Sequence, residues 1–352
     1  MPLKDRLINM IELDGPMSVS MYMQTCLHDP KEGYYATRPG LGRDFLTAPE
    51  ISQLFGEMIG LWVVNEWEAM WRPHPFTLVE PGPGRATMMM DALRAMKMTR
   101  AGRECLNSMQ LYLVEPSLSL RAEQATKLAE HTPQFVSHVD ALPDQATILI
   151  ANEFLDCLPA RQFVKRGKTW HEKRISAHGN ELVWGIDSIQ AAKLPNPPED
   201  QNEFEYQTGL ETFIESLDAY VDNGLRLRAL VIDYGTDDKP PTDTLRAYLE
   251  GKQVDPLLAP GASDLTVDVD FAELVRLSKN FGLTAYGPKT QGDFLLAIGA
   301  EARMKQLIEE NPDRADEIYA RALRLVDPKD MGTRFKVMCF SSKGLSPPAG
   351  FE

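Results

Sequence analysis

From Phe76 onward short apolar, β-rich runs alternate with helical segments, a pattern that fits a parallel sheet covered on both faces by helices and few other folds. The runs are Phe76 to Glu80, Gln110 to Glu115, Gln134 to Ser137, Thr147 to Ala151 and Ala229 to Asp233. Between the early runs, Arg85 to Met98 and Ser117 to Glu130 carry helical spacing. Later, Phe271 to Phe281 reads as helix, Leu283 to Gly287 as strand, Phe294 to Leu325 as helices and Phe335 to Ser341 as a last strand. The predicted fold is α/β, with a doubly wound, mostly parallel seven-stranded sheet.

The first 74 residues read differently. Leu3, Leu7, Met10 and Ile11 recur at helical spacing, and Ser18 is placed to cap a second helix reaching about His28. Asp29 to Arg43 is rich in Gly, Pro and Tyr and reads as a long loop. Thr47-Ala48-Pro49-Glu50 has the form of a capping box, opening a long helix whose stripe Ile51, Leu54, Phe55, Met58, Ile59, Trp62 and Val63 belongs in a core. An N-terminal helical cap with a lid loop over residues 1–74 and a core over 75–352 follow. The core is interrupted at about 161–226 by a β excursion, an acidic Pro-rich linker and a helix, at 236–268 by a loop-rich stretch, and at 290–333 by helices.

Charge and composition narrow the function. The formal net charge is −14 with acids and bases interspersed, which excludes the clustered Lys and Arg that nucleic-acid phosphates require. Cys26, Cys105, Cys157 and Cys339 lack metal-ligand or disulfide spacing, and the six histidines fall at no such spacing either, so no metal is expected. The N-terminus shows neither a signal core nor a transit-peptide composition, and no window has the apolar length of a membrane span. A bacterial cytoplasmic protein without membrane insertion is the expectation.

Chemistry is suggested where strands end. The first strand finishes in Glu80 and runs at once into Gly82-Pro83-Gly84-Arg85 and a helix, a turn whose glycines admit a ligand to the backbone and whose helix start offers free amides. Taken alone it is also explained by a tight turn without a ligand. The second strand ends in Glu115, where a doubly wound fold places the acid that accepts from a ribose diol, and Asp140 follows the third strand as a candidate for the adenine edge. A dinucleotide needs pyrophosphate neutralisation and usually the full glycine fingerprint. Glu80 beside the glycines better suits a ligand with an ammonium and a sulfonium, S-adenosylmethionine. The fourth strand ends in Asn152-Glu153-Phe154-Leu155-Asp156, whose acids can either hold a cationic acceptor such as a guanidinium or serve a helix N-terminus. Asp233-Tyr234-Gly235 on the fifth strand completes the rim.

Nearly the whole chain resembles the MidA-like methyltransferases. The resemblance rests on Gly33-Tyr34-Tyr35, on the run from Gly42-Arg43-Asp44 through Thr47-Ala48-Pro49-Glu50 to Gly56-Glu57, and on the glycine turn. It continues in Asn152 to Asp156, Asp233-Tyr234-Gly235, Asp255-Pro256-Leu257, Asp264-Leu265-Thr266, Thr290-Gln291-Gly292 and Met331 to Lys336. It implies a class I, Rossmann-like methyltransferase fold with S-adenosylmethionine as cofactor. Its mitochondrial members dimethylate an arginine on a core subunit of respiratory complex I, so a protein substrate of that kind or a bacterial equivalent is implied, and a homodimer is allowed. Glu80, Gly82, Gly84, Arg85, Glu115, Asp140 and Asn152 are then expected to bind the cofactor. Glu153, Asp156 and Asn152 are expected to act in catalysis, and Tyr34, Arg43, Asp233 and Tyr234 to bind the acceptor. A small-molecule oxygen or nitrogen acceptor, or a non-catalytic assembly role, stays open. Pro81 and Ala86 depart from the family's usual Glu-Leu-Gly-Pro-Gly-Arg-Gly-Thr.

Overall fold

In the computed structural model, which describes residues 1–37, 47–188, 194–195 and 197–352, the chain divides into two units assembled from separated stretches. One comprises Leu46–Phe154, Phe213–Tyr234 and Val275–Glu352. Its sheet contains β1 (Phe76–Pro81), β2 (Met109–Val114), β3 (Gln134–Val136), β4 (Thr147–Asn152), β5 (Leu227–Thr236), β6 (Thr284–Thr290) and β7 (Phe335–Ser341). The spatial order is β6-β7-β5-β4-β1-β2-β3. β3, β2, β1, β4 and β5 are mutually parallel, whereas β7 runs antiparallel to both β5 and β6. Among the described residues the sheet holds these seven strands and the two-residue Val269–Asp270, which pairs with Gly235–Thr236 at the end of β5.

The order explains where a ligand can enter. The chain leaves β1 towards β2 and β3, then returns to β4 and continues towards β5 on the other side. The switch point therefore lies between β1 and β4, and the crevice beyond their carboxyl ends falls at Glu80–Pro81 and Asn152–Glu153.

Against this sheet lies the helix Gln53–Ala69, and its expected apolar stripe is buried throughout. A Cβ at Gly60 would stand 2.7 Å from the Cα of Ala92, so glycine there lets the helix Thr87–Met96 approach closely. Buried Glu57 takes Arg303 at 2.9 Å and Arg94 at 3.1 Å, which ties three helices together. Residues 46–74 thus join the sheet unit by packing, rather than a separate cap ending at 74. The capping box does not form. Thr47 makes no side-chain cap, the helix Ala48–Ile51 stops after one turn, and Ser52 breaks the backbone and caps the long helix by accepting from Leu54 N.

The other unit comprises Met1–Phe45, Leu155–Thr212 and Gly235–Leu274. Ser18 caps the helix Val19–His28 as expected, accepting from Met21 N at 3.2 Å. The β excursion is an antiparallel sheet of Ala160–Arg166, Thr169–His178 and Glu181–Ser188, to which Met17–Ser18 and Glu203–Gln207 add strands. The stretch expected to be loop-rich holds a three-stranded sheet of Arg246–Leu249, Lys252–Val254 and Asp264–Thr266.

Candidate active site

The first strand is buried along its whole length, and its Glu80 is 4% exposed. Burial pushes the Glu80 carboxyl well above the usual carboxylate range, and its Oε2 has no hydrogen-bond partner among the described residues. The chain then turns through Gly82 and Gly84, both with positive φ. A Cβ on Gly82 would lie 3.1 Å from the Phe154 ring, so the turn is tightly backed on one side while Gly82 itself is exposed. Ala86 stands at the N-cap of the next helix with φ 57°, ψ 27°, the left-handed region, and is fully buried. Arg85 directs its guanidinium towards Glu123, 3.4 Å away, and its carbonyl accepts from Lys127 Nζ at 2.9 Å.

Glu115 follows β2 and is also buried. Its Oε1 accepts from Ser117 N at 2.8 Å and its Oε2 from Gln124 Nε2 at 3.2 Å, yet burial still raises its carboxyl above the ordinary range. Each oxygen keeps acceptor capacity for a ribose hydroxyl. Asp140 lies exposed in a single 3-10 turn, Val139–Ala141.

At the end of β4, Asn152 Nδ2 donates to Glu153 Oε1 at 3.3 Å, while Asn152 Oδ1 is buried without a partner among the described residues. Glu153 has φ 48°, a costly backbone for a residue with a side chain, and such strain gathers at functional sites. Its Oε1 also accepts from Ala48 N at 3.3 Å, and Glu50 accepts from Thr87 Oγ1 at 2.6 Å. The Thr47–Glu50 segment therefore spends its polar groups on the end of β4 and on the helix after the glycine turn, not on capping itself.

Glu80, Gly82, Gly84, Glu115, Asn152 and Glu153 lie in one unit around its switch point. The remaining expected residues are placed otherwise. Asp156 belongs to the other unit, where its carbonyl accepts from Val267 N, and Tyr34 is 2% exposed in that unit's core. Asp233 is fully buried and accepts from Tyr234 N, while Tyr234 is packed edge-on against Phe335 beneath the Arg334 guanidinium. Both support the end of β5; burial keeps them from presenting the open surface expected of acceptor-binding side chains. Arg43 lies outside the described residues.

Two residues of this region escape the sequence pattern. Phe154 backs the glycine turn. Gln124 is fully buried and reaches both Gly84 O, at 2.7 Å, and Glu115. Its signal was an amide on the stripe Leu120, Gln124, Leu128, where helical spacing calls for an apolar residue.

Among the described residues Glu80 Oε2 and Asn152 Oδ1 have no donor, and a buried acceptor without a donor is costly. S-adenosylmethionine brings an ammonium, a ribose diol and an amino group, so the residues present fit it. A family model described as "Putative S-adenosyl-L-methionine-dependent methyltransferase" matches residues 58–289. The chain belongs to this family. S-adenosylmethionine is thus its cofactor, and the turn after Glu80 lies within the matched region.

Among curated relatives, human mitochondrial protein arginine methyltransferase NDUFAF7 is 32% identical, the alignment covering 95% of this chain and 82% of its own. The NDUFAF7 homolog of Drosophila melanogaster is 33% identical over 92% of this chain and 81% of its own. A crystal structure of a superfamily member from Burkholderia thailandensis bound to S-adenosyl-homocysteine has a TM-score of 0.83 at 24% identity, covering 99% of this chain and 93% of that one. That likeness shows the shared fold. The curated relatives are mitochondrial by name, which does not support the cytoplasmic setting expected from the N-terminus. Among the described residues no helix is long and apolar enough to cross a membrane.

Proposed function

We propose that this protein methylates an arginine nitrogen of a protein acceptor, for which a respiratory complex I core subunit or its bacterial counterpart is the first candidate. The observation that carries the reading is the match along nearly the whole chain to relatives named protein arginine methyltransferases. Glu153 gives it a chemical basis, since a half-buried carboxylate stands at the switch-point edge, oriented by Ala48 N and Asn152 Nδ2. When bound, S-adenosylmethionine supplies an electrophilic methyl group.

The protein's own part is positioning and charge. The Glu153 carboxylate accepts N–H bonds from the guanidinium and turns one terminal nitrogen towards the glycine turn; charge-assisted bonds of this kind are short and directional. A proton leaves that nitrogen as its new N–C bond forms, and the same carboxylate is placed to take it. Asn152 holds the carboxylate in its rotamer, and the strained Glu153 backbone, fixed by its N–H to Ile232 O at 2.9 Å, keeps the side chain from relaxing away. Holding reactants in near-attack geometry can supply roughly 7 to 11 kcal/mol of a barrier. A cytoplasmic setting in a bacterium stays part of the reading.

The test is Glu153→Gln, assayed with an acceptor captured from cells lacking the protein. The amide keeps the shape and loses the charge, so turnover falls about 100-fold or more while S-adenosyl-homocysteine binds as before. Undiminished turnover by the variant contradicts the role given to Glu153.

A further inference from the structure

Around the glycine turn one fully buried polar side chain is not accounted for by the groups that meet the cofactor. Gln124, on the helix Leu118–Lys127, sends its Nε2 both to the Gly84 carbonyl at 2.7 Å and to Glu115 Oε2 at 3.2 Å. Both neighbours are acceptors, so the network itself requires the NH2 group to face them and fixes the orientation of the amide. Its Oε1 is left buried with no partner among the described residues. A residue serving the core alone would be apolar here, as Leu120 and Leu128 are on the same stripe, because an unsatisfied buried acceptor is destabilising. The amide must therefore repay its cost elsewhere.

What it holds indicates how. Gly84 is a left-handed glycine whose peptide plane is free to rotate unless its carbonyl is tied, and Glu115 is a carboxylate at the end of a strand with Ser117 N on its other oxygen. We infer that Gln124 is a positioning residue that locks the glycine turn and the ribose-accepting carboxylate of Glu115 into one geometry. It acts through those two groups and not on the cofactor. Lys127, donating to Arg85 O at 2.9 Å one turn further along the same helix, fixes the next peptide of the turn. The helix after β2 thus serves as a template for the turn after β1. The inference rests on the family's cofactor and is independent of the acceptor proposed above.

The test uses Gln124→Met, which keeps length and volume and loses both donors, and Gln124→Asn, which keeps the amide but cannot span both partners. Calorimetry measures binding of S-adenosyl-homocysteine and of its 2′-deoxyribose analogue to each protein, with thermal melts reporting folding. A ribose hydroxyl on an oriented, buried carboxylate makes the wild type prefer the ribose form by roughly ten- to a hundredfold. In both variants that preference shrinks to about threefold or less, and S-adenosyl-homocysteine binds roughly tenfold more weakly. Combining Gln124→Met with Glu115→Gln then gives no further loss of preference beyond Glu115→Gln alone, because the two changes remove one interaction. A folded variant that binds both ligands more weakly yet keeps the full wild-type preference overturns the inference, since a merely structural role does that. Failure of both variants to fold assigns Gln124 to the core and overturns it as well. A wild type that binds neither ligand overturns the cofactor assignment along with it, which separates the two failures.

Discussion

Glu80 is a carboxyl that the fold has taken out of water, and its Oε2 has no partner among the described residues. With a folded pKa raised by burial above the unfolded value of roughly 4.3, the native state holds its proton more tightly than the unfolded state does. Its favourable contribution is therefore complete below the unfolded pKa and is lost as pH rises towards the folded one. Two consequences follow for the protein without ligand. Glu80→Gln raises its melting temperature at neutral pH, and the gain vanishes below about pH 3, where the wild-type carboxyl is protonated in both states. Binding of a ligand that sets its ammonium beside Glu80 runs the other way, because the ammonium favours the carboxylate and binding expels the proton. Affinity for S-adenosyl-homocysteine thus increases with pH through the acid range in the wild type and loses that dependence in Glu80→Gln, which also binds more weakly. Melting curves paired with calorimetry in buffers of different ionisation heat check both signs, and a variant that binds as tightly as the wild type contradicts the assignment.

At the scale of elements, the strands and helices that surround the turn were legible because their signals are local. β1, β4 and β5 are mostly apolar runs buried along nearly all their length, as strands covered on both faces are, and β2 still carries apolar Leu111, Leu113 and Val114. The start of the long helix was not legible. Thr47 and Glu50 have the residue types of a capping box, but Glu50 meets Thr87 and Ala48 N meets Glu153, partners distant in sequence that no local pattern reveals. Ala86 shows the reverse case. Its departure from the family's glycine was visible in the sequence, and the structure supplies the reason glycine is usual there, since the N-cap residue sits in the left-handed region. Ala86→Gly is expected to stabilise the protein by about 1 kcal/mol, the strain of an L side chain at positive φ less the added freedom of the unfolded chain. Denaturant unfolding measures it, and a destabilised variant would show that burial of the Ala86 methyl outweighs the strain.

For the molecule as a whole, the sequence shows which elements exist more readily than how they are sorted. The cap expected to end at 74 is divided by packing. Residues up to 45 share a unit with 155–212 and 235–274, whereas the helix Gln53–Ala69 buries its stripe in the sheet unit. A long-range choice of this kind follows from which apolar faces match, and neither periodicity nor turn chemistry encodes it. The site followed the same rule. Glu80, Glu115, Asn152 and Glu153, the candidates, each stand at or next to the carboxyl end of a strand, a place that the parallel sheet fixes. Asp233 and Tyr234 lie near the end of β5, but both are buried, Tyr234 against Phe335 of β7, and burial changes what they can do. The central claim is methyl transfer to arginine at the switch point of this sheet. It is tested most directly by incubating the purified protein with methyl-labelled S-adenosylmethionine and protein extract from cells lacking it, then hydrolysing the protein fraction to amino acids. Label in methylarginine is expected, much reduced when Glu80→Gln replaces the wild type. Label confined to another amino acid or to small molecules would contradict it.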